Sequence, residues 1–100
     1  MKVYFDNAAT TAIDEEVLAA MMPFLTEHFG NPSTQYSFGR DTRAAVEEAR
    51  KTIAQLINAS AGEIIFTSGA TEANNMAIKG SVNYLGVERI ITSPIEHHCV

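Results

Sequence analysis

Cysteine is almost absent from this sequence. Cys99 is the only one, so no disulfide can form within the chain, and a lone thiol suits a reducing, cytoplasmic setting. Basic residues are also few, 7 against 12 acidic, for a net charge of −5 with no basic cluster. Nucleic acid and anionic membrane are therefore poor partners. No apolar run is long enough to span a bilayer, and the N-terminus lacks the charged-then-apolar layout of a signal peptide. A metal site is not expected either, because His97, His98 and Cys99 are adjacent and chain neighbours rarely converge on one ion. There is no repeat, low-complexity tract or linker. Neither of the common glycine-rich phosphate patterns, GxxxxGK[ST] or GxGxxG, occurs.

What is present is an ordinary globular composition, 46% hydrophobic and 19% charged over 100 residues, enough for one small domain with a core. The chain is organised around residues 63–72. Ile64, Ile65 and Phe66 form a short apolar run suited to a buried strand. Thr67, Ser68 and Gly69 break it, and Ala70, Thr71, Glu72 and Ala73 open a helical pattern, with Glu72 in the first turn where a carboxylate suits the helix dipole. Such a corner aims unpaired backbone N–H groups at one spot and adds hydroxyls, which is an anion site with phosphate as the usual guest. An ordinary capped helix start has the same local sequence, and both readings stand at this point.

Elsewhere the pattern is helical. Lys2 to Phe5 is a short β-prone run. Residues 8–11 are small and hydroxylated, suited either to lying along another surface or to a loosely packed terminus. Asp14 caps a helix carrying Val17, Leu18, Met21, Met22 and Leu25 on one face. Pro23 predicts a kink near Met22 or two short helices, and Gly30 is placed to stop the element. Residues 31–39 read as a loop whose Tyr36 and Phe38 either pack down or line a site. The clearest helix runs from Arg40 or Asp41 to about Ile57, capped by Asp41 or Thr42, with a Glu47–Lys51 pair on its outer face and Asn58 at its end.

A second well-marked helix runs from Ala70 to about Tyr84 and is closed by Gly86. Asn74 and Asn75 are poor helix formers this close to its start, which suggests a task for them. Gly80 suggests close packing against a neighbour. Residues 89–93 read as a second strand. Strand, helix, strand with a long crossover is a βαβ unit with a parallel sheet, which places residues 69–71 and 96–98 on one rim. An imidazole there can stack on an aromatic ligand or move protons; His97 and His98 as a solvated pair is the plainer alternative.

Taken in order and spacing, Tyr4 to Thr11, His28 to Ser33, Ser37 to Arg40, Phe66 to Glu72, and Ile90 to Ser93 followed by Glu96-His97 closely resemble the N-terminal part of the cysteine desulfurases. These are pyridoxal-phosphate enzymes of the class V aminotransferase group, fold type I. The resemblance covers essentially the whole chain. It implies an α/β architecture, the front part of a fold type I pyridoxal-phosphate-dependent transferase large domain with helices packed on a mostly parallel sheet. Residues 1–13 would pack on the family's small domain, and residues 14–100 would form an incomplete N-terminal part of the large cofactor-binding domain.

The resemblance also implies a cofactor, pyridoxal 5'-phosphate, with Ala70 and Thr71 holding its phosphate and His97 stacking on its ring and taking part in proton transfers. His98 falls where the family varies. Residues 7–11 and 31–33 match pieces that come near the active site. The implied reaction removes sulfur from L-cysteine, giving L-alanine and a persulfide on an enzyme cysteine. That persulfide would serve a sulfur-acceptor or iron–sulfur scaffold protein, and the family is typically homodimeric. The lysine that forms the internal aldimine and the acceptor cysteine have no match here: Lys2, Lys51 and Lys79 stand elsewhere, and Cys99 occupies a position where the family usually has a small residue. The expectation is thus the front part of an enzyme, inactive alone, with an open sheet edge and an uncovered apolar face. A selenocysteine lyase, another class V aminotransferase, or a short phosphate- or partner-binding module are the alternatives.

Overall fold

A computed structural model describes residues 1–100 as three α-helices, α1 (Glu15–Thr26), α2 (Ser37–Leu56) and α3 (Ala70–Leu85), with a short 3-10 turn at Ala61–Glu63. They fall into two compact units, Met1–Ala61 and Gly62–Val100. No helix is long and apolar enough to cross a membrane.

In the first unit, Asp14 accepts the amide N–H of Glu16 at 2.9 Å and so caps α1, with Glu15 and Glu16 in the first turn. Of the kink or two short helices expected at Pro23, the division does not occur, and one helix runs through it to Thr26. Pro23 stands one turn from the end, and its carbonyl closes the helix by accepting the amides of Glu27 and His28 at 2.9 and 2.8 Å. Gly30 therefore does not stop α1. It allows a close approach instead: a Cβ at Gly30 would collide with the carbonyl of Phe38, and one at Gly39 would come within 2.5 Å of the Asn31 carbonyl oxygen.

The two glycines let residues 30–36 fold tightly over the start of α2. The turn is pinned by Asn31, whose carbonyl accepts from the Thr34 amide and hydroxyl at 3.1 and 2.8 Å. The guanidinium of Arg43 donates to Pro32 O at 2.8 Å. Phe29 and Phe38 meet at 6.4 Å between ring centres, while both rings and that of Tyr36 stay more than half exposed. With Gly39 absorbed into the helix, α2 starts at Ser37, earlier than the sequence suggests. Neither Asp41 nor Thr42 is its cap; Tyr36 holds that position without a side-chain bond. The Thr42 hydroxyl donates instead to the carbonyls of His28 and Phe38, at 3.0 and 3.1 Å. On the outer face Glu47 pairs with Arg50 at 3.2 Å rather than with Lys51. At the far end Asn58 adopts a left-handed backbone, φ 55°, which asparagine tolerates better than most residues.

Val17, Met21, Phe24 and Leu25 of α1 face Ala45 and Val46 of α2 across an apolar groove of about 470 Å³. The groove is open: Leu25 is 64% exposed and Val17 51%. Among apolar side chains only Ala54 is buried. The uncovered apolar face anticipated from the sequence is present, while the sheet is not.

In the second unit α3 ends at Gly86, whose φ of 68° is left-handed and whose amide returns to the Ser81 carbonyl. Residues 64–66 and 89–93, expected to form parallel strands, are irregular and make no ladder, and the 2–5 run is likewise not a strand. An isolated parallel pair is weak because its bonds are slanted and both its faces need covering. Here Ile65 is 63% and Ile91 97% exposed. Val87 and Ile90 lie instead against Ala77, Ile78 and Ser81 of α3 around a hollow of about 340 Å³. The close packing expected at Gly80 is absent, since no atom lies within 4 Å of where its Cβ would stand.

Candidate functional site

The corner before α3 is built from short-range chemistry. Gly69 is the N-cap residue, extended and without a side chain to cap the helix. Nothing lies within 4 Å of its Cβ direction, so the space before the helix is open. The Gly69 carbonyl accepts the amide of Ala73 at 3.1 Å, the first bond of the helix. The amides of Ala70 and Thr71 find no acceptor in the chain, as expected of a first turn, and the Thr71 hydroxyl is also unpaired. Thr67 turns its hydroxyl onto the Gly69 carbonyl at 3.2 Å, which braces the corner.

Glu72 has a more definite role than its place in the first turn suggested. One of its carboxylate oxygens accepts both the amide N–H and the hydroxyl of Ser68, each at 2.7 Å. The Ser68 amide bond, then the hydroxyl bond, hold the Glu72 carboxyl below its ordinary value, against a smaller opposing effect of desolvation. The carboxylate is thereby engaged by Ser68 and does not occupy the Ala70 and Thr71 donors. Two amides and a hydroxyl at a helix start suit a phosphate group, so the donor set fits the cofactor that the resemblance implies.

The second group of site residues forms a tight turn at the C-terminal end of the chain. The amide of Val100 donates to the His97 carbonyl at 2.9 Å. The amide of Cys99 donates to His97 Nδ1 at 3.2 Å. The rings of His97 and His98 lie 4.0 Å apart between centres, tilted by 32°. His98 therefore covers one face of His97, a relationship for which the sequence holds no signal. Asn74, on the second turn of α3, donates from Nδ2 to Cys99 Sγ at 3.2 Å. This bond fastens the His97 turn beside the start of α3. Asn75 is occupied locally, donating to the Thr71 carbonyl at 2.8 Å.

Residues 31–33 belong to the other unit, where Asn31 Oδ1 accepts the Ser33 amide at 2.9 Å and a hollow of about 400 Å³ is lined by Phe29, Gly30, Asn31, Tyr36 and Phe38. Residues 7–11 hold a turn in which the Ala9 amide donates to the Asp6 carbonyl at 3.1 Å. No group of histidine, cysteine and acidic side chains in the structure could hold a metal ion.

Residues 3–100 match the family model described as aminotransferase class-V. The chain is 58% identical to "Cysteine desulfurase IscS" of Dictyoglomus turgidum, covering 99% of this chain and 26% of that protein. It is 52% identical to "Cysteine desulfurase, mitosomal" of Trachipleistophora hominis, covering 99% of this chain and 24% of that protein. A solved structure of a NIFS-like protein superposes with a TM-score of 0.86 at 40% identity, over 99% of this chain and 28% of that one. The chain thus spans about a quarter of the length of the curated relatives it matches.

Proposed function

The chain belongs to the class V aminotransferase family, and from that premise we propose that it supplies the cofactor-phosphate corner of a pyridoxal-phosphate-dependent cysteine desulfurase. The observation that carries this reading is the set of unpartnered donors at Ala70 and Thr71, in a chain 58% identical over its length to a named cysteine desulfurase. Pyridoxal phosphate, when bound, supplies the electron sink for the chemistry at the substrate's α-carbon. The chain's own part is to hold and orient. The Ala70 and Thr71 amides and the Thr71 hydroxyl bind the phosphate. Glu72, ionised and bonded to Ser68, keeps the corner in shape. His97 offers its uncovered face to the ring and keeps a proton for transfer.

The substrate in this reading is L-cysteine, the products are L-alanine and an enzyme-bound persulfide, and the recipient is a sulfur-acceptor or iron–sulfur scaffold protein. The α1–α2 unit and α3 would pack on a mostly parallel fold type I sheet in which residues 64–66 and 89–93 are strands. Residues 1–13 would lie against a small domain, and the assembled enzyme would be a homodimer. A cytoplasmic setting is part of the same reading, although the stretch also occurs in relatives named mitosomal and mitochondrial.

The test uses pyridoxine 5'-phosphate, which has the ring and phosphate but no aldehyde to react with surface lysines. Calorimetric titration of the chain should show saturable binding of this compound and none of unphosphorylated pyridoxine. Thr71→Val removes one charge-assisted hydrogen bond, worth roughly 1.5–3 kcal/mol, and should weaken binding about ten-fold or more. Equal binding of the two compounds would refute the reading.

A further inference from the structure

The mechanism assigned to His97 needs its ring to be held in one orientation, yet the residue is exposed and no side chain hydrogen-bonds to it. What holds it is indirect. The Cys99 amide donates to Nδ1 at 3.2 Å. Cys99 is itself half-buried and held through its sulfur by the Asn74 side chain at 3.2 Å, and Asn74 is a half-buried residue of α3. We propose that Asn74 and Cys99 are positioning residues for His97: they fix its ring so that Nδ1 accepts and, in the neutral side chain, the proton stays on Nε2.

A backbone N–H can only donate, so an imidazole nitrogen that faces it must offer its lone pair. In the neutral ring the single proton is then on the other nitrogen. An asparagine this early in a helix is a weak helix former, and here its amide reaches 25 residues along the chain instead of bonding locally as Asn75 does. The same helix opens with the Ala70–Thr71 donors. Asn74 therefore ties the element that would hold the cofactor phosphate to the turn that carries the imidazole, with His98 backing the ring from one side. The role of this tie in catalysis rests on the reading of the phosphate corner given above; the tie itself does not.

The experiment reads the tautomer directly, without cofactor, from the ring nitrogen resonances of the ¹⁵N-labelled chain at a pH where the imidazoles are neutral. His98 in the same sample is the internal reference. His97 should show its Nδ1–H form depleted several-fold relative to His98. Asn74→Ala and Cys99→Ala should each raise that form toward the His98 level, whereas Asn75→Ala should leave it unchanged. Cys99→Ser, which keeps an acceptor for Asn74, should restore the depletion and thereby separates a lost tie from a lost fold. A His97 ring that matches His98 in the unsubstituted chain, or that stays depleted in folded Asn74→Ala, overturns the proposal. Pyridoxine 5'-phosphate titration of the same samples keeps the two claims apart: failure to bind with the tautomer intact counts against the phosphate corner alone.

Discussion

Ser68 gives both its amide N–H and its hydroxyl to a single carboxylate oxygen of Glu72, each at 2.7 Å. The pair lies four residues apart across the first turn of α3 and braces the corner. Because both bonds favour the ionised form, the Glu72 carboxyl titrates below its ordinary value.

A folded-state value below the unfolded one means that the bond stabilises the corner above the unfolded value. That stabilisation fades as pH falls through the folded one. We expect the carboxyl carbon resonance of Glu72 to titrate below the ordinary glutamate value, and Ser68→Ala to move its midpoint upward. An unchanged midpoint in that variant would rule out the pair as the cause.

Gly30 and Gly80 should respond oppositely to alanine. At Gly30 a Cβ meets the backbone of Phe38, and overpacking of this kind costs about 1–3 kcal/mol. At Gly80 it meets nothing within 4 Å, so Gly80→Ala should stabilise α3 by about 0.5–1 kcal/mol through helix propensity. Urea denaturation of the two variants checks the sign of each change.

Removing the α1 cap should be costly on a similar scale. Asp14→Ala strips the acceptor from the Glu16 amide and should lower stability by about 1 kcal/mol. Asp14→Ser should recover most of the loss, as read by the same denaturation series.

The sequence disclosed those features of this fold that depend on neighbouring residues alone. Asp14 as a cap, Asn58 as a helix end and Gly86 as a left-handed stop all act through backbone conformation within one turn. Gly30 reads as a helix stop and Gly80 as a point of close packing, yet the close approach is at Gly30 and Gly80 is open, because the difference lies in which backbone approaches them. Residues 64–66 and 89–93 have strand composition, but a strand is made by its pairing as well as its residues, and neither run takes up strand structure here. At the site, the donors of Ala70 and Thr71 were legible from the strand–glycine–helix pattern. The Asn74–Cys99 bond was not, since no local rule joins residues 25 apart.

The chain by itself should form no alanine from cysteine. The only lysine of the second unit is Lys79, about 12 Å along the axis of α3 from Thr71 at 1.5 Å per residue. Its position, like those of Lys2 and Lys51, does not match the lysine that forms the internal aldimine in the resemblance. Alanine appearing above the level of free pyridoxal phosphate in an amino-acid assay would contradict this.

The most direct test of the phosphate corner is to follow the backbone amides of the ¹⁵N-labelled chain while adding pyridoxine 5'-phosphate. The account predicts that the Ala70 and Thr71 resonances shift first and saturate together, with His97 ring signals following and α1 and α2 unmoved. Saturable shifts centred elsewhere, or none at Ala70 and Thr71, would contradict it.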